Sequence, residues 1–186
     1  MREFVGHRMV VLPPTKLSRR CFSLGTAAWL GLGTPTQALA GKRRTLFVIG
    51  RSLNANVVHY DVRLNAAGEL DRKRPLTAYW VMHAEDGRRE DLSWLEGQFA
   101  YGWSIIARTD AHLLELRLTA FPQRSVLVRA DAAGGARAEL RILERAAVLR
   151  RIFVQLGDGA GPSVRYIDLF GAELASGKAL RERLEP

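Results

Sequence analysis

Two charged side chains stand alone in otherwise apolar rows. Val148, Arg150, Ile152, Val154 and Leu156 occupy every second position, and Arg150 is the one charge among them. Val164, Tyr166, Asp168 and Phe170 form a second such row, broken by Asp168. Between them lies the glycine-rich stretch Gly157-Asp158-Gly159-Ala160-Gly161-Pro162. If that stretch closes a hairpin, the two charges fall within about one residue step of each other on one face. A charge taken out of water needs a partner. The pattern therefore predicts an Arg150–Asp168 pair inside the domain, able to anchor the polar end of a ligand. The other arrangement open to these strands puts both rows in water and builds the core from Leu149, Phe153, Ile167 and Leu169.

Catalytic signatures are sparse. A serine hydrolase of the nucleophile-elbow type needs Gly-x-Ser-x-Gly, and a zinc hydrolase needs His-Glu-x-x-His or an equivalent cluster; neither motif occurs. His59, His83 and His112 fall on three different predicted strands, so a metal site would require all three to converge. An enzymatic centre would need His83 or His112 beside a carboxylate in a cleft. Glu85-Asp86, followed by Gly87, reads as a turn entering a helix rather than as an acid–base pair or a calcium site. The Gly157–Gly161 loop has no helix behind it, so no dipole or amide array is expected to hold a phosphate there. No catalytic residue, metal ligand or cofactor is assigned, and the reading leans away from an enzyme.

The N-terminal segment carries an address. Ser18-Arg19-Arg20-Cys21-Phe22-Ser23-Leu24 leads into a weakly apolar stretch with Gly25, Gly31 and Gly33, then Pro35 and Ala38-Leu39-Ala40. Arg19 and Arg20 with that tail read as a twin-arginine signal peptide over residues 1–40, cleaved after Ala40. The apolar run is about ten residues, short of the roughly twenty that span a bilayer. Cys21 precedes the apolar run and so does not fit a lipoprotein cysteine; either Met1 or Met9 could start the chain. The expected partner during export is the twin-arginine translocase, and the expected location is periplasmic or extracellular. The mature chain is expected not to span a membrane. Cys21 is the sole cysteine, so residues 41–186 are free of disulfides and of thiol chemistry. The net charge of +9 falls to +5 (23 cationic against 18 acidic side chains) once Arg2, Arg8, Lys16, Arg19, Arg20 and Glu3 are removed. No basic block interleaved with aromatics runs along the chain, so nucleic acid is not expected as a partner.

Residues 41–186 have a usual single-domain size, and period-two alternation dominates them. Thr45–Gly50 is a first apolar run; Val58, Tyr60, Val62 and Leu64 then face one way while His59, Asp61 and Arg63 face the other. Pro75 opens a third strand, apolar on both faces through His83. Leu114–Leu118, Val126–Arg129 and Leu140–Ile142 alternate in the same way, as do the two rows above. Eight or nine short strands predict an all-β antiparallel meander forming a barrel or sandwich, a calycin-like barrel among the options. Charged alternate positions such as Arg63, Glu115, Arg117, Glu139 and Arg141 exclude an outer-membrane barrel. Leu92, Leu95 and Phe99 instead recur at three and four, predicting one amphipathic helix over about 88–101, ended by Gly102.

Several stretches carry a family resemblance. They are Arg51-Ser52-Leu53-Asn54-Ala55-Asn56-Val57, Tyr79-Trp80-Val81-Met82, Glu85 through Leu92, Ala100-Tyr101-Gly102, Leu149 through Val154, and Val164 through Gly171. In order and spacing the chain resembles the domain of unknown function 4833 family of bacterial extracytoplasmic proteins, over about residues 44 to 185. The resemblance implies one exported domain with no separate linker and carries over no catalytic residue. Two functions follow from the residues. One is a binding module in which Tyr60, Trp80, Met82 and Trp103 line a cavity, with Arg150 and Asp168 as anchors for an amphipathic small molecule. The other is a structural or interaction protein that docks an envelope protein. A hydrolase-type enzyme ranks third. An internal cavity of several hundred Å³ favours the first reading and a filled interior the second.

Overall fold

The architecture is organised around one long strand that belongs to two sheet arms at once. A computed structural model describes residues 44–52, 54–131, 133–157 and 163–185. Arg19, Arg20, the cleavage site after Ala40 and the centre of the glycine loop lie outside the described residues. The strands are β1 (Arg44–Arg51), β2 (Asn54–Val62), β3 (Leu76–Val81), β4 (Arg89–Asp91), β5 (Trp103–Arg108) and β6 (Leu113–Leu118). They continue with β7 (Phe121–Ala130), β8 (Ala136–Ile142), β9 (Arg145–Leu156), β10 (Val164–Glu173) and β11 (Ala179–Leu184). Among the described residues a single helix, α1 (Trp94–Phe99), stands between β4 and β5.

β9 pairs with β10 from Ala147 to Leu156, and β10 pairs in turn with β11. Its opposite edge is divided. Arg145–Val148 pair antiparallel with β8, whereas Arg151–Val154 pair parallel with β1. Two arms therefore leave that edge, β1-β2-β3-β4 and β8-β7-β6-β5. The eleven strands form one curled mixed sheet, a half-barrel. Alternation builds its interior: Val58, Tyr60 and Val62 of β2, Leu114, Leu116 and Leu118 of β6, and Val126 and Val128 of β7 are all buried. Burying one face of each arm against the other removes apolar area from water at about 25 cal/mol per Å². Arg124 of β7 ties β11 across this interior. Its two terminal nitrogens each lie 2.7 Å from a Glu182 oxygen, and Glu182 also accepts from Leu143 N–H. That contact holds the tight β8–β9 turn, where Leu143 and Glu144 both take positive φ, a conformation that non-glycine residues otherwise avoid.

Three sequence expectations change. The parallel β1–β9 pair interrupts the meander, and β4, β5 and β11 raise the strand number to eleven. The helix is much shorter than 88–101, because Arg89–Asp91 pair with β3 instead. It begins at Ser93, whose side chain caps Glu96 N–H while the Glu96 carboxylate returns to Ser93 N–H. Its expected apolar stripe is not a core face: Leu95 and Phe99, with Trp94, stay exposed. The last change is on β9, where the register shifts between Phe170–Arg151 and Gly171–Leu149 and leaves Arg150 as the extra residue of a bulge. The bulge breaks the predicted apolar row, so Leu149 and Ile152 both reach the core while Arg150 is exposed.

Candidate functional site

The segment joining the two arms builds a groove against β3. Tyr101 is its keystone. Its backbone N–H donates to Glu96 O at 2.7 Å, and its carbonyl accepts the Tyr60 hydroxyl at 2.8 Å. Its ring meets Trp80 edge to face, centroids 5.1 Å apart. The Trp80 indole N–H donates to Glu96 at 3.1 Å, which fastens α1 to β3. Burial alone would raise the Glu96 pKa, but the Ser93 N–H and hydroxyl and the Trp80 indole outweigh it and hold the carboxyl below its usual range. Gly102 makes the backbone approach feasible: a Cβ there would lie 2.0 Å from Gly97 O. Outside this scaffold runs an open groove of about 600 Å³, with Leu76 and Ala78 of β3 on one side and Trp94, Tyr101 and Trp103 on the other. Arg63 and Arg74 also line it. Both are exposed, so the groove combines aromatic walls with two solvated cations.

The residues expected to bind a ligand divide between different parts of the molecule. Trp103 lines the groove. Tyr60 and Trp80 stand behind its wall in the core, Tyr60 stacked on Phe47 with centroids 4.6 Å apart and edge-on to Trp103. Burial pushes the Tyr60 phenol upward, so it remains a hydrogen-bond donor. Met82 packs at the border of the same core. Tyr60 and Trp80 belong to the buried cluster between the arms, and the groove beside them opens to solvent.

Arg150 and Asp168 do not meet. Asp168 is buried, as a lone charge in an apolar row suggested, but its partners come from β11. Arg181 Nη2 lies 2.7 Å from Asp168 Oδ2, and Arg183 donates through Nε and Nη2, each at 2.9 Å. The two arginines, Arg183 foremost, hold the carboxyl at a pKa of about 2. The alternative core of Leu149, Phe153, Ile167 and Leu169 is right at three positions, whereas Phe153 sits half-buried outside it.

A family model described as a domain of unknown function, DUF4833, matches residues 47–183. The chain belongs to that family. No curated protein and no solved structure matches it. The DUF4833 match begins within β1 and ends within β11, so it takes in both arms, the groove and the Asp168 cluster.

A second polar cluster of the DUF4833 domain escaped the sequence reading. Asp61 is buried on the face of β2 opposite the core and accepts from Thr45 Oγ1 at 2.8 Å and from the Tyr79 hydroxyl at 3.0 Å. His59 stacks on Tyr79, whose other neighbour is the Arg89 guanidinium, 3.5 Å from the ring centroid. Burial lowers the His59 pKa, and His83, 6.5 Å away, adds to this while Asp61 opposes it. His112 stands apart and exposed. Among the described residues no three histidine, cysteine or acidic side chains converge on a metal position. The signal for the Asp61 cluster was cross-strand: Thr45, Asp61, His59 and Tyr79 become neighbours only through the β1–β2–β3 register.

Proposed function

We propose that the domain is a non-catalytic binding module of the bacterial envelope, exported through the Arg19-Arg20 leader, and that its groove takes a small amphipathic anion. The observation that carries this reading is the pairing of an aromatic wall with Arg63 and Arg74 around one groove of about 600 Å³. Ligand sites of this size are mostly apolar with a few placed polar groups. Trp94, Tyr101 and Trp103 would cover the apolar body, and the two guanidinium groups would meet the anionic end.

Tryptophan fluorescence titrations with dodecanoate and dodecanol test it, since the two share a tail and differ in charge. Dodecanoate is expected to bind more tightly. Arg63→Gln with Arg74→Gln should remove most of that difference, while Trp103→Ala should weaken both ligands. Failure of both ligands to bind, or binding indifferent to all three substitutions, would refute the groove as a site. The exposed Trp94, Leu95 and Phe99 of α1, with Ile105 and Ile106 on the edge strand β5, support the second reading of an envelope protein partner. Native mass spectrometry of protein purified from its own envelope separates the two by whether the added mass is a small molecule or a polypeptide.

A further inference from the structure

We propose that the outer face of β9, β10 and β11 is a binding site for a ligand bearing two phosphoryl groups, held by Arg151, Arg181 and Arg183. The strand register places these side chains together. Arg151 pairs with Phe170, and Phe170 with Arg181; in the adjoining row Phe153 pairs with Asp168, and Asp168 with Arg183. Directly opposed residues share a face of the sheet, so three guanidinium groups from two strands point to the same side.

Aromatic rings support all three. The Arg151 guanidinium carbon lies 5.3 Å from the Phe153 ring centroid and 6.0 Å from that of Phe170. Arg181 stands 5.4 Å from the same Phe170 ring, and Arg183 lies 3.6 Å from Tyr166. Gly50 contributes by lacking a side chain. It pairs with Phe153, and a Cβ there would come within 3.3 Å of Arg151 Nη2. Arg151 thus has room to lie over β1.

The charges do not balance. Asp168 is the one carboxylate that the three arginines engage among the described residues, and its two oxygens are committed to Arg181 and Arg183. Each guanidinium has five N–H donors, so both keep donors free, and their side chains remain 57% and 44% exposed. Arg151 is exposed and makes no ion pair or side-chain hydrogen bond among the described residues. Asp168 therefore acts as a positioning residue: it fixes two cations at the surface without satisfying them, and leaves a third beside them unpaired.

Phosphoryl groups match this arrangement in charge and in fork geometry, since arginine donates two parallel N–H bonds to such oxygens. Arg151 and Arg181 project from strands two apart, about 10 Å between backbones. That span suits two linked phosphoryl groups better than one. They could come from a soluble diphosphate or from a lipid headgroup.

Calorimetric titration with inorganic pyrophosphate at low ionic strength reads the first source, and co-sedimentation with cardiolipin vesicles the second. Binding of either probe supports the site when Arg151→Gln and Arg181→Gln each weaken it about tenfold or more, with circular dichroism unchanged. Arg150→Gln, one residue along but on the bulge, should leave binding unchanged, and orthophosphate and citrate should compete poorly. Asp168→Asn should weaken pyrophosphate too, while still folding below its melting temperature. The proposal is overturned if neither probe binds, if Arg150→Gln weakens binding as much as Arg151→Gln, or if citrate competes as well as pyrophosphate.

Discussion

Replacing Asp168 by Asn removes the charge that Arg181 and Arg183 share while keeping the side-chain shape. Three hydrogen bonds to a charged group are at stake, each contributing about 1.5–3 kcal/mol. The full sum overstates the loss. Both arginines are about half exposed and can turn to water, and the Asn oxygen can still accept one bond. A net loss of about 2–3 kcal/mol follows, equivalent to one or two of the three bonds. Urea unfolding, with an unchanged m-value, would measure it. Arg150→Ala should shift stability by no more than about 0.5 kcal/mol, as for other exposed positions. A double-mutant cycle between Asp168 and Arg183 should give a clear favourable coupling, and one between Asp168 and Arg150 a value near zero. The pH dependence has a definite sign. Because the folded pKa is depressed to about 2 from 3.8, the carboxylate's stabilisation is fully present above pH 4 and is lost as the pH falls toward 2. Asp168→Asn should lack that component of acid destabilisation. A large Asp168–Arg150 coupling, or an Arg150→Ala variant as unstable as Asp168→Asn, would show that the inward pair exists and that the β11 partners are incidental.

Gly102→Ala should lower the melting temperature sharply and loosen the groove, because the new methyl meets backbone at Gly97 O, 2.0 Å away, where no side chain can yield; a calorimetric trace unchanged from the parent would contradict the packing of α1. Replacing both Arg19 and Arg20 by Lys should leave the precursor in the cytoplasm, because the pair is read as a unit. Fractionation that finds the double variant exported normally would remove the twin-arginine assignment.

Period-two alternation was enough to determine an all-β domain, and it named the inward rows of β2, β6 and β7 correctly, since a strand with one buried face writes its burial directly into residue type. It also marked Asp168 as a buried charge. The alternation could not show which strands lie side by side. The parallel pairing of β1 with β9 joins residues about a hundred positions apart, and no local pattern encodes it. The register shift between Val164 and Tyr166 sets Asp168 opposite Phe153 and Arg183, and so exchanged the expected partner for Arg181 and Arg183 on β11, a strand with no apolar alternation strong enough to announce itself. The helix was overextended for a related reason: Glu90 and Asp91 suit a helix start, yet pairing with β3 outweighed that preference. The groove, the Asp61 cluster and the arginine–aromatic face are all assembled across strands. Sequence determined which side chains could take part, and only the tertiary register brought them within reach of one another.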